Sequence, residues 1–192
     1  AAFAQRSSQT LLQFIVVMSL VKVVHELAHA VTCWRLGGEC REIGVMLLLG
    51  VPTLYCDVSG AWLMPQRYKR ILISAAGILA ELAIASLATV LWLFSADPVL
   101  SQWCMIVMVV CSINTLLVNG NPLMRYDGYF ILSDLVGVPN LASRASFAMR
   151  SLVRRCLWNE RTPSRVTADA HQTPWLSLYA VLSLCYRVSV FV

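Results

Sequence analysis

The chain reads as an all-α polytopic membrane protein of about four transmembrane helices, with a small membrane-edge β-hairpin between the first two and a break in the third. Three observations lead there. Of its 192 residues, 58% are hydrophobic and only 13% charged, whereas soluble chains carry about 25% charged residues. Its apolar runs are long enough to cross a bilayer, whose core of about 30 Å needs roughly 20 helical residues. Its Lys and Arg residues collect between those runs, as topology signals do.

The spans follow in order. Residues 10–34 are apolar but interrupted by Lys22, His25, Glu26 and His29. Ile71 to Ala96 is a run of 26 residues whose only charge is Glu81, giving a span over 71–95. Pro98 to Met124 is a run of 27 with no charge, giving a span over 100–121. Between the first two spans, Ile43 to Cys56 is an uncharged run of 14 containing Gly44, Gly50 and Pro52; it is too short to cross and suits a pair of short strands. Pro122 interrupts the backbone ladder of the third span and Gly120 loosens it, so the helix is expected to unwind at the Asn-Pro step.

Residues 1–140 therefore form a membrane-embedded core. Residues 141–173 form a cytoplasmic connector with an interfacial helix near 143–158, and 174–192 begin a further span. The chain opens at Ala1 and stops at Val192 inside an apolar run, as expected of a piece of a longer protein. Segments 35–70 and 125–173 hold five and seven Lys/Arg residues, and 95–102 hold none, so the basic segments are placed in the cytoplasm.

The same composition, with a mean hydropathy of +0.69, excludes a disordered chain and a disulfide-rich secreted module, and argues against an unassisted soluble enzyme. The net charge of +5 does not indicate nucleic acid, because the basic residues lie between apolar runs rather than on a polar, aromatic face. The seven cysteines are odd in number and show no C-x-x-C. Reduced thiols are expected, buried where they lie in apolar stretches, as Cys104, Cys111 and Cys185 do.

Chemistry enters with His25-Glu26-Leu27-Ala28-His29. Residues four apart on a helix project from one face, so both imidazoles can bind one Zn²⁺ while Glu26 takes a proton from the bound water. Ionisable groups inside a span are costly and mark function. A catalytic zinc needs a third ligand. His171 sits in a polar connector and reads as solvated, whereas Asp127 lies at the cytoplasmic end of the third span, level with the two histidines. The alternative is that Asn119 and Asn121 cap a helix end and Asp127-Gly128 is a simple turn. Glu81 and Arg187 are the remaining charges within spans; they could pair, or Glu81 could line a water path.

Together these motifs resemble the site-2 protease family of intramembrane zinc metalloproteases, which combines H-E-x-x-H with N-x-x-P-x-x-x-L-D-G. Asn119, Pro122, Asp127 and Gly128 match, with Tyr126 in place of Leu. The middle-span A-G-P-x-x-N element is represented by Ala76-Gly77-Ile78-Leu79-Ala80-Glu81, which keeps the Gly and lacks the Pro and Asn. Gly37-Gly38, Tyr55-Cys56-Asp57-Val58 and Tyr126-Asp127-Gly128-Tyr129 are similar to the bacterial branch of peptide zinc metalloproteases, some of which continue into an adaptor module.

The resemblance implies an intramembrane metalloendopeptidase of the bacterial inner membrane. In it His25, His29 and Asp127 hold Zn²⁺, Glu26 is the general base and Asn119 steadies the oxyanion, with the active site toward the cytoplasm. Its partners would be the lipid bilayer, a membrane-protein or peptide substrate, and an adaptor or export partner, with no nucleic acid. Other readings are a component of a peptide export or maturation system, a degenerate zinc-binding scaffold, and a transporter. The strand pair in 43–56 is expected either to hold a substrate extended along its edge or simply to pack at the membrane face.

Overall fold

The computed structural model describes residues 2–48, 51–158 and 173–191. Six α-helices and one hairpin follow one another as α1 (Ala2–Arg35), β1 (Ile43–Leu48), β2 (Val51–Cys56), a short 3-10 turn (Ser59–Leu63), α2 (Arg67–Phe94), α3 (Pro98–Ile113), a π-helical segment (Asn114–Asn119), α4 (Asp127–Val136), α5 (Leu141–Trp158) and α6 (Thr173–Phe191). Gln9–Arg35, Arg67–Phe94 and Pro98–Asn119 are long and apolar enough to cross a membrane, which marks the chain as a membrane protein. The expected fourth span corresponds to α6, a 19-residue helix that is not among these three. His171 and most of the segment between α5 and α6 lie outside the described residues.

Local chemistry sets the helix ends. After α1, Gly37 adopts φ 84°, and Gly38 N–H donates to Cys33 O at 2.9 Å, the left-handed ending that glycine permits. Asp97 caps α3 by accepting from Val99 N–H at 3.0 Å, with Pro98 in the first turn, where its missing N–H costs nothing. Only residues 95–97 separate α2 from α3, so the two helices run antiparallel.

The hairpin is antiparallel, with Ile43 opposite Cys56 and Leu48 opposite Val51. Its pairing extends outward through Asp57 N–H to Glu42 O at 2.8 Å.

Val17 and Val21 of α1 pack on Val110 and Cys111 of α3, with Ile84 and Ala85 of α2 closing the contact. The opposite faces are apolar and uncovered: Phe94 is 87% exposed, Leu116 71% and Leu87 62%, as lipid-facing positions require. A second core joins Tyr129 of α4, Leu141 and Ala145 of α5, and Leu176 and Tyr179 of α6. Arg70 of α2 ties α4 down through Asp134, at 2.8 Å from Nε and 2.7 Å from a terminal nitrogen, and also donates to Met64 O at 2.7 Å.

The third span breaks where the Asn-Pro step predicts. Gly120 N–H reaches back five residues to Thr115 O at 2.7 Å, and regular helix resumes only at Asp127. The carbonyls released by the break are taken up by α6: Tyr179 OH donates to Pro122 O at 2.7 Å, Ser183 Oγ to Leu123 O at 2.8 Å, and Tyr186 OH to Leu117 O at 3.4 Å. Unsatisfied backbone at membrane depth is costly, so α6 works as the acceptor-capping partner of the broken element. Arg187 of the same helix is exposed and lies with Arg125 and Arg150 on a separate surface recess. It does not meet Glu81, which removes pairing from the two alternatives left open for these charges.

The thiols are free, as anticipated. Cys104 and Cys111 are buried, but Cys185 is exposed, because α6 turns its serine and tyrosine side toward the break and Cys185 away from it. Replacing Tyr179 with Phe should lower the unfolding free energy by about 1 kcal/mol, the cost of one lost hydrogen bond to a half-buried carbonyl. Thermal unfolding in detergent micelles measures this, and an unchanged midpoint would show that Pro122 O finds another donor.

Candidate metal centre

Helical spacing puts His25 and His29 one turn apart on the inward face of α1, 2% and 5% exposed, while Leu27 and Val31 on the same helix point outward. Asp127 is the first residue of α4, brought to that face by the unwound stretch 120–126. Its Oδ2 lies 3.0 Å from His25 Nε2 and 3.3 Å from His29 Nε2, and the two Nε2 atoms are 3.1 Å apart. The structure thus brings together the three ligands expected from the sequence, as a cluster that could hold a metal ion.

The protons decide what this cluster can do. His29 Nδ1 lies 2.7 Å from the Ile73 carbonyl, which can only accept, so Nδ1 carries the hydrogen. His25 Nδ1 lies 2.7 Å from Glu81 Oε1, which fixes the same tautomer. Asn119 Nδ2, at 3.3 Å from that ring nitrogen, belongs instead to the carboxylate, to which it donates at 3.1 Å. In the neutral form each imidazole has one N–H, and both Nε2 atoms then present lone pairs to each other and to Asp127 Oδ2, which is buried with no hydrogen-bond partner. Three such acceptors at this spacing are held together by a cation between them, a proton or a metal ion. Two imidazole nitrogens and one carboxylate oxygen form a donor set that zinc accepts.

The cluster opens on a cavity of about 410 Å³, whose wall includes Glu26, Asn119, Tyr126, Cys56 and Asp57. Glu26 is half-buried there. Cys56 is not part of the three-residue cluster; burial, with the Cys40 thiol beside it (Sγ–Sγ 3.0 Å), pushes its thiol up to about 12. Asp57, at the end of the hairpin, is held below the ordinary carboxylate range by the Ser59 backbone N–H at 2.9 Å. Among the described residues no fourth His, Cys, Asp or Glu joins the three.

Two glycines make the geometry possible. A Cβ on Gly77 would fall on the His25 ring, 2.5 Å from Nε2, and a Cβ on Gly128 would fall on the Gly120 carbonyl. Gly77 lets α2 close against the ligand, and Gly128 lets α4 start directly beneath the break.

Sequence reasoning left Glu81 with two open uses and did not foresee its contacts. Its carboxylate is fully buried and accepts from Asn114, Thr115 and Asn119 as well as His25. The available signal was its position as the lone charge in a 26-residue apolar run, in the A-G-x-x-x-E element that ends where the resembled family has Asn.

Replacing Gly77 with Ala should reduce zinc affinity by about tenfold or more, the effect typical of displacing a ligand's support, while helix content by circular dichroism stays constant. Metal analysis of the protein in detergent reads the outcome, and wild-type affinity would show that the His25 ring does not need this gap. Comparisons of the chain with protein-family models, with curated proteins and with solved structures give no match.

Proposed function

We propose that this chain is an intramembrane zinc metallopeptidase that hydrolyses peptide bonds in or near the bilayer. The observation that supports this most is the meeting of two imidazole Nε2 atoms and a carboxylate oxygen within 3.3 Å of one another, on a cavity that also carries Glu26. Zinc bound there would supply Lewis acidity, giving a nucleophilic water near neutral pH and a polarised scissile carbonyl. Among the described residues three ligands meet, which leaves a coordination position open, whereas structural zinc sites are closed by four. This favours an enzyme over a scaffold.

The chain's own side chains carry the remaining work. Glu26 accepts the proton of the attacking water and delivers it to the leaving amine. Asn119 keeps one amide N–H on Glu81 and offers the other to the carbonyl oxygen as it gains negative charge. The hairpin ends at Cys56 and Asp57 on the cavity wall, so a substrate strand added along its edge would be led to the site in the extended form that hydrolysis needs. The Lys/Arg-rich segments that flank the spans favour a site facing the cytoplasm, and the likeness to bacterial peptide zinc metalloproteases favours the inner membrane. A membrane-protein or peptide substrate and the bilayer are the partners in this reading.

Protein reconstituted in liposomes with a set of transmembrane peptides, with fragments identified by mass spectrometry, tests the proposal. Glu26→Gln should retain zinc and lose cleavage by about 10²- to 10⁴-fold, the range for a general base. Cleavage by that variant at the wild-type rate would exclude Glu26 as the base.

A further inference from the structure

We propose that Glu81 is the positioning residue of the metal centre, orienting the ligand His25 and the cavity-lining Asn119 from a single carboxylate. The inference rests on the reading of His25, His29 and Asp127 as metal ligands. It goes beyond that reading because neither the H-E-x-x-H pattern nor the Asn-Pro element contains Glu81.

A carboxylate inside a membrane span is expensive unless something returns the lost hydration. Glu81 is fully buried in the middle of α2, and among the described residues none of its hydrogen-bond or ion-pair partners is a Lys or Arg. Instead four donors converge on it. Asn114 Nδ2, Asn119 Nδ2 and His25 Nδ1 address Oε1, and the Thr115 hydroxyl addresses Oε2. Three of these four come from one six-residue segment.

The backbone is distorted to allow it. Five residues of α-helix make about 1.4 turns, so positions i and i+5 diverge. Asn114 and Asn119 are that far apart and both reach the same oxygen. The segment between them is π-helical, with the i+5 hydrogen bond from Gly120 N–H to Thr115 O at 2.7 Å, and π-bulges recur at functional sites. The wider turn brings Asn114 and Asn119 onto one face, opposite Glu81.

One side chain thereby sets two others. Accepting from Nδ1 holds the His25 ring in the tautomer whose Nε2 lone pair faces Asp127 and His29. A carboxylate behind a metal-bound imidazole also makes it a better donor, and loss of such a partner typically costs 10- to 100-fold in metal affinity or activity. Accepting from Asn119 Nδ2 at 3.1 Å fixes the amide plane. Its second N–H is then held in a constant direction on the cavity wall. A cation bound by His25 in turn offsets the buried negative charge, so the carboxylate and the metal stabilise one another through the ring.

The test measures metal directly. Full-chain protein in detergent is titrated with Zn²⁺ against a chromophoric chelator and with Co²⁺ by its visible d–d absorption, for wild type and for Glu81→Gln, which keeps shape and replaces half of the acceptor with an amide donor. The expected result is a 10- to 100-fold loss of Zn²⁺ affinity and an altered Co²⁺ spectrum, with helical content and elution volume unchanged.

A folded Glu81→Gln protein with wild-type affinity and spectrum overturns the proposal. If that variant does not fold, Thr115→Val, which removes one donor and leaves His25 and Glu81 in place, should show a smaller loss in the same direction; unchanged affinity there also overturns it. Absence of metal binding by wild type, or binding by His25→Ala as tight as wild type, would instead remove the metal-centre reading itself.

Discussion

Two hydrogen bonds, one at Nδ1 of each clustered histidine, are the constraint on which the rest of the structure depends. Each is anchored by an acceptor from α2: the Ile73 carbonyl for His29 and the Glu81 carboxylate for His25. With those bonds made, the facing nitrogens of the neutral rings carry lone pairs, and Asp127 adds a third acceptor that is buried without a partner. Repulsion among the three is relieved by a positive charge set between them. The H-E-x-x-H helix supplies the ligands, but α2 determines which of their atoms can bind.

That arrangement requires α2 to lie against α1 at the depth of His25, and α4 to begin under the end of the third span. Gly77 and Gly128 provide the two close approaches. The Arg70–Asp134 ion pair holds α4 to α2, so the helix that presents Asp127 is tied to the helix that orients the histidines. The centre is therefore built from three elements that are distant in sequence and locked together around it.

The membrane makes the break in the third span costly, and α6 offsets that cost. Tyr179, Ser183 and Tyr186 cap the freed carbonyls, which gives a reason for a serine- and tyrosine-bearing face on an otherwise apolar helix. Much of this was legible beforehand. Run lengths located the three spans, Gly and Pro marked the hairpin and the break, and the spacing of His25 and His29 identified a ligand pair because helical periodicity is a local property. Asp127 was also accessible, since loop charge placed it at the same depth.

Three features were not readable in this way. Glu81 was visible as an isolated charge, but its partners come from Asn114, Thr115 and Asn119, and their common face exists only because the helix there widens to a π turn. Arg187 was a plausible mate for Glu81 by composition and lies instead beside Arg125 and Arg150. Cys185, expected to be buried, is exposed.

Local periodicity and charge, which any stretch of chain carries with it, were enough to establish a membrane bundle with a histidine pair and a broken third helix. Which nitrogen of each histidine faces the cluster, and which carboxylate stands behind it, depend on how helices pack across long sequence separations. Hydrogen-bond direction is a property of pairs of atoms brought together in space, so it is decided only when α2 closes on α1.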